Sequence, residues 1–98
     1  MARVVRASAA KADAWEIWAY IAQDNPDAAD RLLGRLDKMI RVLAAQPLLG
    51  KSVEELVPDL RLVPVGNYLI FYRSTKDRIE IARILHSARD ITADFFRG

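Results

Sequence analysis

Residues 24–26 read Asp-Asn-Pro, and they fall between two stretches whose apolar residues recur at helical spacing. Proline is tolerated in the first turn of a helix, where its missing N–H would have no partner, and Asp24 or Asn25 can accept a hydrogen bond from the first free amides. One helix therefore ends and another begins within two or three residues. Helices joined so closely run antiparallel, so residues 9–45 are predicted to form a helical hairpin. On the first helix Ser8 is the predicted N-cap, and Ala14, Ile17, Trp18 and Ile21 make one apolar face. Trp15 lies off that stripe; with Trp18 and Ala22 it either widens the buried face or offers an aromatic anchor to a partner. On the second helix Ala29, Leu32, Leu33, Leu36, Met39, Ile40 and Leu43 keep the 3.6-residue rhythm, opposite Arg31, Arg35, Lys38 and Arg41. Asp27–Arg31 and Asp37–Arg41 stand at i, i+4, where an ion pair is worth about 0.3 kcal/mol.

Such a hairpin has one apolar side that must be covered, and the rest of the chain supplies strands to cover it. A valine-rich run at 3–7 precedes the helices. A connector at 46–59, bounded by prolines and holding Gly50, leads to two strand-like runs within 60–73 that meet at Gly66-Asn67, a two-residue hairpin turn. Pro64 lacks an N–H and places its strand at an edge or an irregularity. A second turn at 74–78 leads to a last strand at 79–86, and Ile91 and Phe95 mark a short docking helix in the tail. The order β-α-α-β-β-β gives a two-layer α+β fold, a helical hairpin packed on a small antiparallel sheet, as a single domain over 1–98.

Composition narrows the chemistry. With no cysteine and one histidine there is no disulfide, no thiolate nucleophile and no transition-metal ligand set. The glycines stand apart at 34, 50, 66 and 98, so no phosphate-binding glycine loop is expected, nor any cofactor. The N-terminal stretch has no long apolar core of a signal peptide, and nothing approaches the roughly 18 consecutive apolar residues of a membrane span. The expectation is a soluble cytoplasmic domain with no membrane contact. Eleven of the fifteen cationic residues are arginine, suited to forked contacts with carboxylate or phosphate.

The one histidine sits in RILHSARD, Arg83 to Asp90. A triad of Ser87, His86 and Asp90 fails because neighbours in a strand point to opposite faces. RNA cleavage by acid–base chemistry needs less: His86 with Glu54 or Glu55, and Arg61, Arg73 and Arg83 to stabilise the phosphorane. Strand parity opposes it, because without a bulge Arg83 and His86 face opposite sides of the sheet.

Four stretches in order, IWAYIAQDNPDAADRL, QPLLGKSVEEL, LRLVPVGNYLIFYR and IEIARILHSARD, resemble the RelE/ParE superfamily of bacterial toxins over most of 8–90. The likeness is closer to the ParE branch: Trp18, Tyr20 and Ile21 before Asp24-Asn25-Pro26; Pro64, Val65, Gly66 and Tyr68; Arg83, Leu85, His86, Arg89 and Asp90. The ribosome-dependent branch carries a tyrosine near its C-terminus, and here no tyrosine follows Tyr72. The resemblance implies the same fold and a type II toxin–antitoxin system in which the toxin traps DNA gyrase on cleaved DNA and a ParD-like antitoxin neutralises it. Operator DNA would be met only through the antitoxin. The gyrase-facing candidates are Arg83, His86, Arg89, Phe95 and Phe96, and the antitoxin-facing ones Trp15, Trp18, Arg61 and Arg73. His86 is then a structural or partner-contacting residue with no catalytic part. The rivals are a ribosome-dependent mRNA endonuclease using His86, Arg83 and Arg61, and an antitoxin-binding module that no longer poisons anything.

Overall fold

The computed structural model describes residues 1–97. In chain order they form β1 (Arg3–Arg6), α1 (Ser8–Ala22), α2 (Pro26–Ala45), β2 (Lys51–Ser52), β3 (Leu60–Val65), β4 (Tyr68–Ser74), β5 (Arg78–His86) and a 3-10 helix (Ala93–Phe96). The helical hairpin forms where Asp24-Asn25-Pro26 requires it: Asn25 caps α2 by accepting from the Ala28 N–H at 3.0 Å, and Pro26 opens the helix. Ser8 is not the cap of α1. That position falls to Ala7, which has no side-chain acceptor, and Ser8 is already the first helical residue. Ala7 is fixed instead through its N–H, which donates to the Ile81 carbonyl at 3.0 Å. The expected pair Asp37–Arg41 gives way to a bridge from Asp37 to Arg6 of β1 at 2.9 Å, and Asp27 makes no bridge to Arg31 among the described residues.

The sheet has five strands in the order β1-β5-β4-β3-β2. The three predicted C-terminal strands run antiparallel as a meander, but β1 lies parallel to β5, so the sheet is mixed. The connector adds β2, two residues paired with Arg61 and Leu62 of β3. Pro64 lies past the end of β2, so its missing N–H faces no strand there. Gly66 turns β3 into β4 at φ +58° while Asn67 stays at negative φ, the pattern of a type II′ turn.

Both faces of the sheet are apolar. Leu36, Ile40 and Leu43 of α2 pack on Ile70, Tyr72, Ile79, Ile81 and Ile84. On the other face Phe71, Ala82 and Leu85 are covered by Val53 and Leu56 of the connector and by Ile91, Phe95 and Phe96 of the tail. The tail is thus a lid on half of the second face.

Tyr72 ties the connector to the sheet: its hydroxyl donates to the Pro47 carbonyl and accepts from the Gly50 N–H, both at 2.8 Å. A Cβ on Gly50 would come within 2.6 Å of that hydroxyl and 2.8 Å of the Leu62 carbonyl, so the connector needs glycine there. Burial, opposed by the Gly50 N–H and Arg61, raises the Tyr72 phenol above its ordinary value of 10.0. The folded state therefore favours the neutral phenol, and stability that is constant below that value falls as pH rises beyond it. Tyr72→Phe is expected to cost about 1–3 kcal/mol at neutral pH, because a buried N–H loses its acceptor, and to flatten the alkaline fall. Urea unfolding of both proteins at neutral and alkaline pH checks this. A variant as pH-sensitive as its parent would contradict it.

Candidate partner-binding site

The site lies where β5 loses its neighbour. Strand β1 ends at Arg6, opposite Ile81, and from there to His86 no strand flanks that edge. The register shifts at the same place: Tyr72 pairs with Ile81 and Phe71 with Arg83, leaving Ala82 as the extra residue of a β-bulge. The bulge precedes Arg83, so Arg83 and His86 remain on opposite faces as strand parity requires. Asp13 of α1 takes over the exposed edge. Its buried carboxylate accepts from the Ile84 N–H at 2.9 Å and from Arg83 Nε and Nη2, both at 2.7 Å. The third donor of Arg83, Nη1, reaches the Phe95 carbonyl at 2.9 Å. The hydrogen bonds that Arg83 donates to Asp13 raise its guanidinium above its ordinary value, outweighing the burial that opposes it; the charges of Asp13 and Glu16 add to the rise. Asp13 is the residue of this site that the sequence alone did not mark. Its signal was an acid inside the apolar face, four residues before Ile17 and three after Ala10.

Arg83 thus fastens helix, strand and tail. Two guanidiniums lie over Phe95, with the Arg83 carbon 5.5 Å and the Arg89 carbon 4.8 Å from its ring centroid. Phe96 turns inward onto Phe71, ring centroids 5.1 Å apart. His86 accepts the Ala88 N–H at Nδ1 (3.0 Å) and meets Tyr68 edge-on at 5.1 Å. Between α1 and this strand end is a groove of about 390 Å³, with Glu16 and Tyr20 on one wall and Tyr68, His86 and Arg89 on the other. Burial, and then the neighbouring Tyr20, raise the Tyr68 phenol above its ordinary value.

All five gyrase-facing candidates, Arg83, His86, Arg89, Phe95 and Phe96, therefore gather at one end of the sheet. Their exposure differs: Arg89 faces solvent, whereas Arg83 spends every polar hydrogen-bonding group inside the protein. The antitoxin-facing candidates do not form one surface. Trp15 and Trp18 stack at 5.7 Å on the outside of the hairpin, with Trp18 held by its Nε1–H on Asp30 at 2.8 Å. Trp15 is 66% exposed, so it does not widen a buried face. Arg61 donates to the Gly50 carbonyl at 2.7 Å on the face of Tyr72, and Arg73 lies on the opposite face beside Glu80 at 3.4 Å. The nuclease set is dispersed as well. Arg61 stands opposite Tyr72 and His86 opposite Tyr68, four residues apart along β4, or about 13 Å. Among the described residues no group of acids and histidine is placed to hold a metal ion, and no helix is long and apolar enough to cross a membrane.

This topology, with an arginine- and aromatic-rich sheet end, is that of the RelE/ParE class of toxins. The sequence profile described as "ParE toxin of type II toxin-antitoxin system, parDE" matches residues 4–91. The chain belongs to the ParE toxin family of type II toxin–antitoxin systems. It is 32% identical over 91 residues to Toxin ParE1 of Mycobacterium tuberculosis, covering 91% of this chain and 93% of that one. It is 37% identical over 89 residues to Toxin RelE2 of Caulobacter vibrioides, covering 91% and 99%. A solved structure described as the chromosomal ParDE TA system from P. aeruginosa shares the fold, with a TM-score of 0.73 at 22% identity over 88% of this chain and 96% of that one.

Proposed function

We propose that the chain acts in the cytoplasm by poisoning DNA gyrase and is held inactive by a ParD-like antitoxin. The observation that carries the reading is the sheet end itself: Arg89 exposed over Phe95, with His86 and a mostly apolar groove beside it, all braced from behind by Asp13 and Arg83. A surface of this kind needs no covalent step. By binding the cleaved-DNA state of gyrase more tightly than the resealed state, it moves the population toward broken DNA. His86 contributes contact and shape; its Nδ1 is already taken by the Ala88 N–H, and the cations that would stabilise a phosphorane are elsewhere or engaged. Induction in cells tests the reading. Growth arrest with double-strand breaks while translation continues supports it. Arrest with halted translation and cut mRNA transfers the target to the ribosome, and no arrest from soluble protein leaves a binding module only.

For the antitoxin, the Trp15–Trp18 stack suits the apolar face of an amphipathic segment. Trp15→Ala is expected to weaken antitoxin binding by about 2 kcal/mol, roughly 30-fold, measured by calorimetry. Unchanged affinity would place the antitoxin on another face.

A further inference from the structure

The second face of the sheet is covered only in part, and its bare corner carries Arg3 and Arg78, which the proposed function does not use. Arg3 and Arg78 are partners in register on the parallel strands β1 and β5, so their side chains leave the same face about 4.8 Å apart. It is the face away from the helices, because the next pair, Val4 and Ile79, packs into the helix-side core. Both arginines are exposed, and neither has a carboxylate partner among the described residues. Like charges placed side by side across strands cost stability, so nothing in the fold alone favours this pairing. Next to them Arg73 pairs across strands with Glu80 through Nη2 at 3.4 Å, while its Nε is buried with no hydrogen-bond partner. A hollow of about 360 Å³ lies between, lined by Val5, Arg73, Thr75, Arg78 and Glu80.

We propose that Arg3, Arg73 and Arg78 form a phosphate-binding surface that takes the backbone of duplex DNA. Three guanidiniums offer the many N–H donors that phosphate oxygens require, and among the described residues those of Arg3 and Arg78 are exposed with no ion-pair partner. Apart from Val5 the corner has no apolar floor on which a peptide's hydrophobic side chains could rest, which favours nucleic acid over an acidic protein segment. Among the residues that line the hollow, Glu80 is the one opposing charge, and Arg73 pairs with it. The surface is distinct from the partner-binding end: Arg78 begins β5 and His86 closes it, about 26 Å away along the strand. It does not depend on the gyrase reading.

The test titrates a short fluorescent DNA duplex with the purified chain at several salt concentrations. Log affinity should fall linearly with log salt, and Arg3→Gln with Arg78→Gln should lower affinity at least about tenfold and the slope by about two. Both residues are exposed and make no side-chain hydrogen bond or ion pair among the described residues, so circular dichroism should show an unchanged fold. Arg31→Gln with Arg35→Gln, on the exposed face of α2, is the control and should leave most of the binding intact. Equal binding by the Arg3/Arg78 variant overturns the proposal. So does arginine-dependent binding of ATP or inorganic phosphate without the duplex, and so does displacement of the duplex by polyglutamate at matched charge.

Discussion

Asp13→Ala should cost about 3–5 kcal/mol, the usual penalty for removing one partner of a buried ion pair. The substitution strips Arg83 of both bonds from its fork and leaves the Ile84 N–H on a strand edge with no other acceptor. A domain of this size is held by about 5–15 kcal/mol, so the variant is expected to unfold at low urea concentration. Arg83→Ala should be nearly as harmful, because it leaves the Asp13 carboxylate buried with a single N–H donor. The double variant Asp13→Leu/Arg83→Met should lose less than the sum of the two, since neither charge is then stranded. Urea unfolding of the set measures this. A cost below about 1 kcal/mol for Asp13→Ala would mean that the β5 edge does not depend on that carboxylate.

Arg89→Ala should lower gyrase poisoning by about 30-fold, the effect of losing one central arginine of an interface worth about 2 kcal/mol. It should do so with little effect on stability, because Arg89 is exposed and, among the described residues, its guanidinium has no ion pair and lies over Phe95. The comparison with Asp13 is informative. Asp13 and Arg83 act from behind by holding the tail, and their removal is expected to reduce poisoning and stability together, whereas Arg89 separates the two. The readout is the protein concentration giving half-maximal linear plasmid in a gyrase reaction, beside the urea midpoint. A stable Arg89→Ala protein that poisons as well as its parent would remove the guanidinium over Phe95 from the gyrase surface.

What could be read from the sequence was local. Asn25 and Pro26 declare the helix junction because capping and proline geometry involve only near neighbours, and Gly66 declares its turn for the same reason. The strand meander followed from alternation and turns. The parallel placement of β1 did not, since it depends on which edge of the sheet the hairpin delivers the chain to. The same dependence hides Asp13: an acid on an apolar helix face has meaning only once β1 stops short and leaves the Ile84 amide open. The resemblance marks Arg83 for partner contact, and only the fold shows that its guanidinium also ties helix, strand and tail together. Arg61 and Arg73 looked equivalent in sequence, yet β3–β4 register puts them on opposite faces. The aromatic end of the chain was legible in outline, because Ile91 and Phe95 mark a docking turn, and it is realised as a 3-10 helix over Phe71.

The most direct test of the account is a gyrase cleavage reaction with supercoiled plasmid, ATP and the purified chain, with and without its antitoxin. Linear DNA accumulating with the chain alone, and suppressed by the antitoxin, is the expected result. Intact plasmid in the presence of chain shown to be folded by its binding to antitoxin would contradict the gyrase assignment and redirect the search to the translating ribosome.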